Sequence, residues 1–410
     1  MGSSRIQNWK NSVIYLTLLL TTIHLIAQTH FSHNLLFWNI ESVRVKKIPN
    51  LPLRFRSDGT FKILQVADMH YGSGTITHCR DVLASQFEFC SDHNTTRFLK
   101  RVIHAENPDF IAFTGDNIFG SSTPDAAESL FKAFGPAMES GLPWAAILGN
   151  HDHESSMNRE ELMSFISLMD YSVSQINPST NDLTSATKGG IMTKIDGFGN
   201  YNLQVHGAPG SMLANSSVLN LFFLDSGAKT VFQGIRTYDW IKDSQLRWLL
   251  QVSQELQEQK QDPLHPTDAT PLNKPPALAF FHIPIPETPQ LFYKEIVGQF
   301  QEGVACSRVN SGVLETLVSI RDVKAVFFGH DHKNDFCGNL GGIWFCYGGG
   351  FGYHGYGKAG WPRRARIIQA ELQKGKNSWM GVERIKTWKR LDDEKMSKID
   401  EQILWDQQLV

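Results

Sequence analysis

The chain has 410 residues, with 39 Lys and Arg against 41 Asp and Glu, so its formal net charge is −2. This balance excludes a dedicated nucleic-acid binder, which would carry a basic excess, and no nucleic-acid partner is expected. A hydrophobic share of 41% and a charged share of 20% exclude a disordered chain and predict a globular protein with a sizeable core.

The N-terminus has the pattern of a targeting segment. Arg5 and Lys10 precede an apolar run at residues 13–27 that is short for a membrane span. We interpret residues 1–28 as a signal peptide that is cleaved near Ala27, or alternatively as an uncleaved N-terminal anchor. The expected location is secreted, or the lumen of the endomembrane system or vacuole, with membrane attachment only if the segment is retained.

Two sequons and the cysteines agree with an oxidising compartment. Asn94 and Asn215 each begin an Asn-x-Ser/Thr triplet and are predicted glycosylation sites. The chain has five cysteines: Cys79, Cys90, Cys306, Cys337 and Cys346. Cys79 with Cys90, and Cys337 with Cys346, are plausible local disulfides, which would leave Cys306 free.

The rest of the chain divides into a lead-in at residues 29–60, a main domain at 61–390 and a C-terminal tail at 391–410. The main domain alternates apolar runs with amphipathic segments, which predicts an α/β core. Predicted buried strands are at 61–67, 109–114, 143–148, 277–281 and 323–328. Predicted helices are at 96–106, 124–139 and 243–257, the last with Asp243 as N-cap.

Two further segments differ from this alternation. The glycine-rich stretch 188–225 contains predicted strands at 201–205 and 219–224, which indicate a second, more antiparallel sheet. Residues 259–276 contain five prolines and are predicted to form an irregular surface loop.

Each of the five buried strands ends in residues that can bind metal. The blocks are Asp68-Met69-His70, Gly115-Asp116-Asn117, Gly149-Asn150-His151-Asp152, His282 and Gly329-His330-Asp331-His332. Because the carboxyl ends of strands in an open α/β sheet converge on one edge, residues far apart in sequence can meet there. Carboxylate and imidazole suit Zn, Fe and Mn, and a pair of such ions can clamp a phosphoryl group and activate water.

Together and in this order, the blocks resemble the signature of the calcineurin-like metallophosphoesterase superfamily over residues 61–360. The resemblance implies a four-layer α/β–β/α sandwich with mixed sheets and flanking helices. It also implies two metal ions, expected to be Fe and Zn with Mn as another candidate. The first ion would be held by Asp68, His70 and His332, and the second by Asn150, His282 and His330, with Asp116 bridging them.

The same resemblance assigns the catalytic groups. His151 would donate a proton to the leaving group or hold the phosphate, and Asp152 would orient it. Substrate contacts would come from Asn150, His151, His330 and His332.

The flanks resemble the small plant purple acid phosphatases, through Leu224-Asp225-Ser226-Gly227 and through Trp240 followed by residues 245–249. Two positions depart from that family. His70 stands where the family usually has Gly, and Phe119 stands where it has the Tyr ligand that gives the colour. We expect His70 to replace the missing ligand, and we expect no purple tyrosinate band.

The predicted activity is hydrolysis of small phosphate monoesters by a metal-activated hydroxide. One alternative is a phosphodiesterase or pyrophosphatase acting through the same site, which His70 favours because diesterases of the superfamily often carry that histidine. The other is a non-catalytic homologue that binds metal or phosphate.

Overall fold

The computed structural model describes residues 3–38, 45–178, 194–258, 274–376 and 378–409. They fall into two units, residues 1–46 and residues 47–410. The predicted loop at 259–276 and the first residues of the glycine-rich stretch lie largely outside the described residues.

The first unit is one long helix, α1 (Ser3–Trp38). Within it residues Asn11–Gln28 are long and apolar enough to cross a membrane, although signal sequences share this property. Thr17, Thr21 and Thr22 each donate their hydroxyl to the backbone carbonyl four residues earlier, so these polar groups do not prevent the helix from entering an apolar environment.

The second unit contains a six-stranded sheet that carries three of the predicted strands. In spatial order its strands are β16 (Lys398–Asp406), β15 (Trp379–Leu391), β14 (Arg364–Lys374), β2 (Thr60–Val66), β3 (Phe110–Thr114) and β4 (Trp144–Ile147). The last three are parallel to one another, and the others pair antiparallel. Strand β3 and strand β4 are buried throughout, as continuous apolar runs require.

An eight-stranded mixed sheet carries the other two predicted strands. In spatial order its strands are β1 (Leu53–Arg54), β5 (Tyr201–His206), β6 (Ser217–Phe223), β9 (Ala277–Phe280), β11 (Val323–Phe328), β13 (Ile343–Tyr347), β12 (Cys337–Leu340) and β10 (Ile296–Val297). Strands β5 and β6 pair antiparallel as predicted, but β6 also pairs in parallel with β9, so the second sheet is mixed. A separate hairpin is formed by β7 (Lys229–Phe232) and β8 (Ile235–Tyr238).

The two sheets pack face to face. The ring centroids of Phe110 and Phe223 lie 6.3 Å apart across the interface. Tyr201 donates its hydroxyl to the Ala146 carbonyl at 2.8 Å, and Gln65 donates its amide to the Phe328 carbonyl at 3.1 Å. These bonds satisfy buried polar groups between two apolar faces.

Helices cover the outer faces, which confirms the predicted mixed sheets with flanking helices. Within the described residues, the helices of the second unit are α2 (Ala84–Phe87), α3 (Asp92–Glu106), α4 (Ala126–Ala133), α5 (Gly135–Ser140), α6 (Arg159–Leu168), α7 (Asp243–Glu258) and α8 (Val313–Ile320). Phe134, between α4 and α5, packs its ring against Phe113 of β3 and Trp144 of β4, which places those helices on the six-stranded sheet. Helix α8 contacts β11 of the other sheet and α7 contacts α8.

Three boundaries differ from the sequence-based expectations. The predicted helix 124–139 divides at Phe134, because Pro136 lacks a backbone N–H and is tolerated only in the first turn of a new helix. Asp243 is the first residue of α7 rather than its N-cap. The compact unit of residues 47–410 is wider than the predicted domain 61–390, because β1 and β16 pair with strands of the two sheets.

The predicted covalent features are the two disulfides and the two glycosylation sites. The disulfides Cys79–Cys90 and Cys337–Cys346 are both present and Cys306 is free, as predicted. Glycosylation stays a prediction at both sequons. Asn215 is exposed in the loop before β6, whereas the side-chain amide oxygen Oδ1 of Asn94 accepts a hydrogen bond from Ser91 N–H in the capping box of α3.

Candidate metal centre

Six buried side chains from distant parts of the chain gather where the two sheets meet. The ligand atoms of Asp68, His70 and His332 lie within 4.8 Å of one another. Those of Asp116, His282 and His330 form a second group by the same measure. The structure therefore brings together six of the seven predicted ligands in two adjacent groups, each of a size that suits one cation.

Asp116 lies between the two groups. Its Oδ2 atom is 3.2 Å from His282 Nε2 in its own group and 3.4 Å from His70 Nε2 in the other. The first group is closed by Asp68, whose Oδ1 atom is 3.5 Å from His332 Nε2. A carboxylate in this position can reach two ions at once, which is the geometry expected of a bridging ligand.

Several ligand atoms have no hydrogen-bond partner among the described residues although they are buried. They are both nitrogens of His70, both side-chain polar atoms of Asn150, Nε2 of His282 and Nε2 of His330. Leaving a buried polar atom unsatisfied costs about 1–3 kcal/mol, so such a concentration of them requires an explanation. Bound cations supply it, and the donor set of carboxylate, amide and imidazole oxygen and nitrogen atoms fits them.

The backbone is strained where it presents these ligands. Asp68, His70, Asp116 and His330 all have positive φ, at 59°, 45°, 50° and 81°. Non-glycine residues rarely adopt this conformation, and surrounding bonds must hold it. Here His70 N–H donates to the Asp116 carbonyl at 2.8 Å, and His330 N–H donates to Asp68 Oδ1 at 2.9 Å.

The glycines of the sequence blocks allow the segments to approach closely. A Cβ atom at Gly149 would lie 2.2 Å from Asp116 Oδ1, and one at Gly329 would lie 2.5 Å from Asp68 Oδ2. Either would displace a ligand. The glycines are therefore needed for space beside the carboxylates, and they are part of the site although they bind nothing.

Two of the imidazoles are oriented by a hydrogen bond that Nδ1 donates to a backbone carbonyl. His282 Nδ1 lies 2.9 Å from the Thr114 carbonyl, and His332 Nδ1 lies 2.8 Å from the Tyr356 carbonyl. Since a carbonyl only accepts, each Nδ1 carries a proton, and Nε2 is the nitrogen that remains to face a cation. The Tyr356 ring also stacks on His332, with centroids 3.9 Å apart.

Burial and neighbouring charges shift the pKa values of the imidazole and carboxyl groups in both ligand groups. Burial lowers the pKa of His70, His330 and His332, which keeps these imidazoles neutral and able to bind metal. Burial also lowers the pKa of His282, but the negative charge of Asp116 outweighs it and raises that pKa to about 9. Burial raises the pKa of Asp68 well above its usual range.

Metal binding is therefore expected to release about one proton per chain near neutral pH, chiefly from His282. The pKa of His282 is about 9, so it is protonated without metal and must lose that proton to act as a ligand, and the raised pKa of Asp68 adds to the release wherever its carboxyl is protonated. Apparent zinc affinity should therefore rise with pH up to about pH 9. Calorimetric titration of metal-free protein with zinc, in buffers of different ionisation enthalpy, measures the release. A heat independent of buffer would contradict it.

His151 is held beside the centre, but its partner is not the predicted one. Its backbone N–H donates to Asp116 Oδ1 at 2.8 Å, and its Nδ1 lies 2.7 Å from Glu154 Oε2. The other carboxylate oxygen of Glu154 accepts from Lys229 Nζ at 2.9 Å. Side chains of His151 and Glu154 are 22% and 25% exposed, so a substrate can reach this pair.

The prediction that Asp152 orients His151 is wrong. The Asp152 carboxylate accepts hydrogen bonds from Gly149 N–H at 2.6 Å, Ile118 N–H at 3.0 Å and the Asn117 amide at 3.3 Å. The chain turns after Asn150, and the fully buried Asp152 side chain satisfies the amide groups of that turn and of the neighbouring loop. Its role is to fix the loop that carries Asn150 and His151.

Phe119 lies against the site without offering a ligand atom. Its ring centroid is 5.2 Å from His70 and 4.8 Å from His151. In the group that contains Asp116 and His282, the ring of Tyr238 packs edge-on against His330, with the ring centroids 4.4 Å apart. Sequence reasoning missed Glu154, Lys229, Tyr238 and Tyr356. Only Glu154 had a local signal, since it lies three residues after His151.

Asp225 and His354 lie outside the ligand groups. Asp225 forms a buried ion pair with Arg159, whose guanidinium also donates to the Gly149 carbonyl at 2.7 Å. His354 hydrogen-bonds the His78 carbonyl at 2.8 Å and the Ser122 hydroxyl at 3.2 Å. Both support loops of the site rather than joining it.

Mixed sheets with flanking helices, and two adjacent groups of carboxylate and imidazole side chains at their edge, form the arrangement that is typical of metallophosphoesterases. The model of the family described as calcineurin-like phosphoesterase matches residues 61–334. The chain belongs to this family, which confirms the resemblance found in the sequence.

Individual relatives agree with this assignment. "Probable inactive purple acid phosphatase 28" of Arabidopsis thaliana is 63% identical over 401 residues, covering 98% of this chain and 97% of the relative. "Phosphatase DCR2" of Saccharomyces cerevisiae is 33% identical over 369 residues, covering 86% of this chain and 57% of the relative. Among solved structures, a dimetal phosphatase from Danio rerio aligns with a TM-score of 0.47 at 13% identity, over 84% of this chain and 98% of that one.

Proposed function

We propose that the protein is an active hydrolase of phosphate monoesters that uses two metal ions. The observation that carries the proposal is the position of Asp116 between two groups of buried ligand atoms that lack other partners. Arabidopsis relatives are named as probable inactive enzymes. His70 supplies a donor next to Asp116 where the tyrosine ligand of purple acid phosphatases is missing, so the number of ligands is maintained.

The two ions are proposed to be bound by Asp68, His70 and His332 on one side and by Asn150, His282 and His330 on the other, with Asp116 shared. Bound there, they neutralise phosphoryl charge and acidify water. We propose iron and zinc, with manganese as another candidate. Phe119 has no phenol to bind iron, which supports the expectation of a colourless centre.

We propose that His151 assists the departure of the leaving group. Its Nδ1 is engaged by Glu154, so Nε2 is free to hold a phosphate oxygen or to donate a proton to the departing alcohol. Burial raises the pKa of Glu154, but hydrogen bonds from His151 and Lys229 outweigh it and lower that pKa, so the carboxylate is ionised. An ionised Glu154 can only accept in this hydrogen bond, so it fixes the orientation of the His151 ring.

Replacing Glu154 by glutamine is expected to lower kcat about tenfold and to change KM less than about twofold. The reason is that the His151 ring loses the carboxylate that orients it through Nδ1. The matched control is Glu160→Gln, an exposed residue of the first turn of α6. Steady-state kinetics on p-nitrophenyl phosphate gives both constants. Equal losses in the two variants, or a loss confined to thermal stability, would exclude the positioning role.

The proposed activity is tested by turnover of the full chain loaded with zinc, iron or manganese. Para-nitrophenyl phosphate should be hydrolysed faster than its bis-ester. Faster cleavage of the bis-ester would assign the site to phosphodiesters, the alternative that His70 favours. No turnover of either substrate, with every metal, would make the protein a non-catalytic binder and refute the proposal.

Localisation is part of the proposal. The apolar segment of α1 and the two disulfides support entry into the secretory pathway, with a final location outside the cell or in an endomembrane or vacuolar lumen. A small phosphate ester is the expected partner in that compartment.

A further inference from the structure

A cavity of about 600 Å³ opens beside the metal centre, on the side of the β7–β8 hairpin. It is lined by hairpin residues and by the segment around Cys306. The lining residues are Lys229, Thr230, Val231, Arg236, Thr237, Tyr238, Cys306 and Arg308. The volume is in the range of sites for small-molecule ligands, about 300–1,000 Å³.

Two contacts connect this cavity to the catalytic groups. Tyr238 forms part of its wall and packs edge-on against His330 of the metal centre at 4.4 Å between ring centroids. Lys229 forms another part and donates to Glu154, the residue that contacts His151. A substrate whose phosphate lies at the metals, with its leaving group near His151, can therefore extend into the cavity.

The cavity is basic. Lys229 is partly neutralised by Glu154, but Arg236 and Arg308 are exposed and form no ion pair among the described residues. None of the described residues that line the cavity is acidic. Thr237 helps to fix the wall, because its hydroxyl accepts the Arg308 backbone N–H at 3.0 Å. Guanidinium groups recognise phosphate through paired N–H donors, whereas an uncharged leaving group gains little from them.

We infer that this cavity is a subsite for a second phosphate group, carried on the leaving-group part of the substrate. The inference rests on the proposed function and narrows its substrate class to multiply phosphorylated small molecules. Tyr238 and Val231 give the wall an apolar portion that a carbon skeleton can contact, while Arg236 and Arg308 bind the distal phosphate.

The test compares fructose 1,6-bisphosphate, fructose 6-phosphate and p-nitrophenyl phosphate as substrates of the metal-loaded full chain. Wild-type kcat/KM should be about tenfold higher for the bisphosphate than for fructose 6-phosphate. The double variant Arg236→Gln with Arg308→Gln should remove this preference and leave p-nitrophenyl phosphate turnover within about twofold of wild type. Arg247→Gln, an exposed arginine on α7 outside the cavity, is the matched control.

Binding to metal-free protein provides a second readout that does not need turnover. Calorimetry should show tighter binding of fructose 1,6-bisphosphate than of fructose 6-phosphate, and the double variant should lose the difference. If no substrate is turned over but this binding difference is present, the proposed activity fails and the anion subsite stands. If p-nitrophenyl phosphate is turned over and neither kinetics nor binding distinguishes the two sugars, the subsite inference is overturned.

Discussion

Replacing Asp116 by asparagine is expected to reduce kcat at least about a thousandfold and to lower the metal content from about two ions per chain to one or fewer. Asp116 Oδ2 is near His282 in one ligand group and His70 in the other, so its charge serves both cations. Asparagine preserves the shape and the oxygen that accepts from His151 N–H. Loss of charge is therefore the main change. Metal analysis and p-nitrophenyl phosphate kinetics on the same preparation measure the effect.

The matched control for this variant is Asp322→Asn. Asp322 is also a buried aspartate, but its partner is the Ser253 hydroxyl, and it is not part of either ligand group. It should retain metal and turnover. If Asp116→Asn binds two ions and keeps wild-type kcat, Asp116 does not bridge and the assignment of the centre is wrong.

Replacing His151 by alanine is expected to lower kcat about 100- to 1,000-fold while two ions remain bound, because general acid catalysis commonly contributes about 10²–10⁴-fold. His151 is not in either ligand group; its Nδ1 lies against Glu154, and its backbone N–H donates to Asp116. Metal content and kcat are measured on both variants. His151→Ala should keep its metal and lose kcat, whereas Asp116→Asn should lose metal and kcat.

His153→Ala is the control for His151, since it removes a second imidazole from the same loop. His153 is half-buried and its Nδ1 has no partner among the described residues. Its removal should change kcat less than about threefold. Equal losses in the two histidine variants would show that the loop, rather than the His151 imidazole, matters for turnover.

The ligand residues were predictable because each follows a strand whose apolar run is visible locally. Asp68, Asp116 and Asn150 follow β2, β3 and β4, while His282 and His330 follow β9 and β11. What the pattern could not show is that these strands belong to two different sheets. Strand pairing is a long-range property, and each sheet also contains strands from the C-terminal part of the chain.

The supporting residues were harder to predict. Tyr356 reaches His332 from 24 residues away, and Lys229 reaches Glu154 from 75 residues away. Neither lies in a sequence pattern that indicates a contact. The role of Asp152 was predicted wrongly for a different reason. Asp152 is adjacent to His151, but consecutive residues in a turn point in different directions. Its carboxylate accepts hydrogen bonds from backbone N–H groups of the turn and of the neighbouring loop.

The most direct test of the account is a metal count on the purified full chain after loading and extensive dialysis. Elemental analysis should give about two ions per wild-type chain, because two groups of buried ligands share one carboxylate. A chain that is folded and yet retains no metal, with or without activity, would contradict the claim that these distant segments enclose a dinuclear centre.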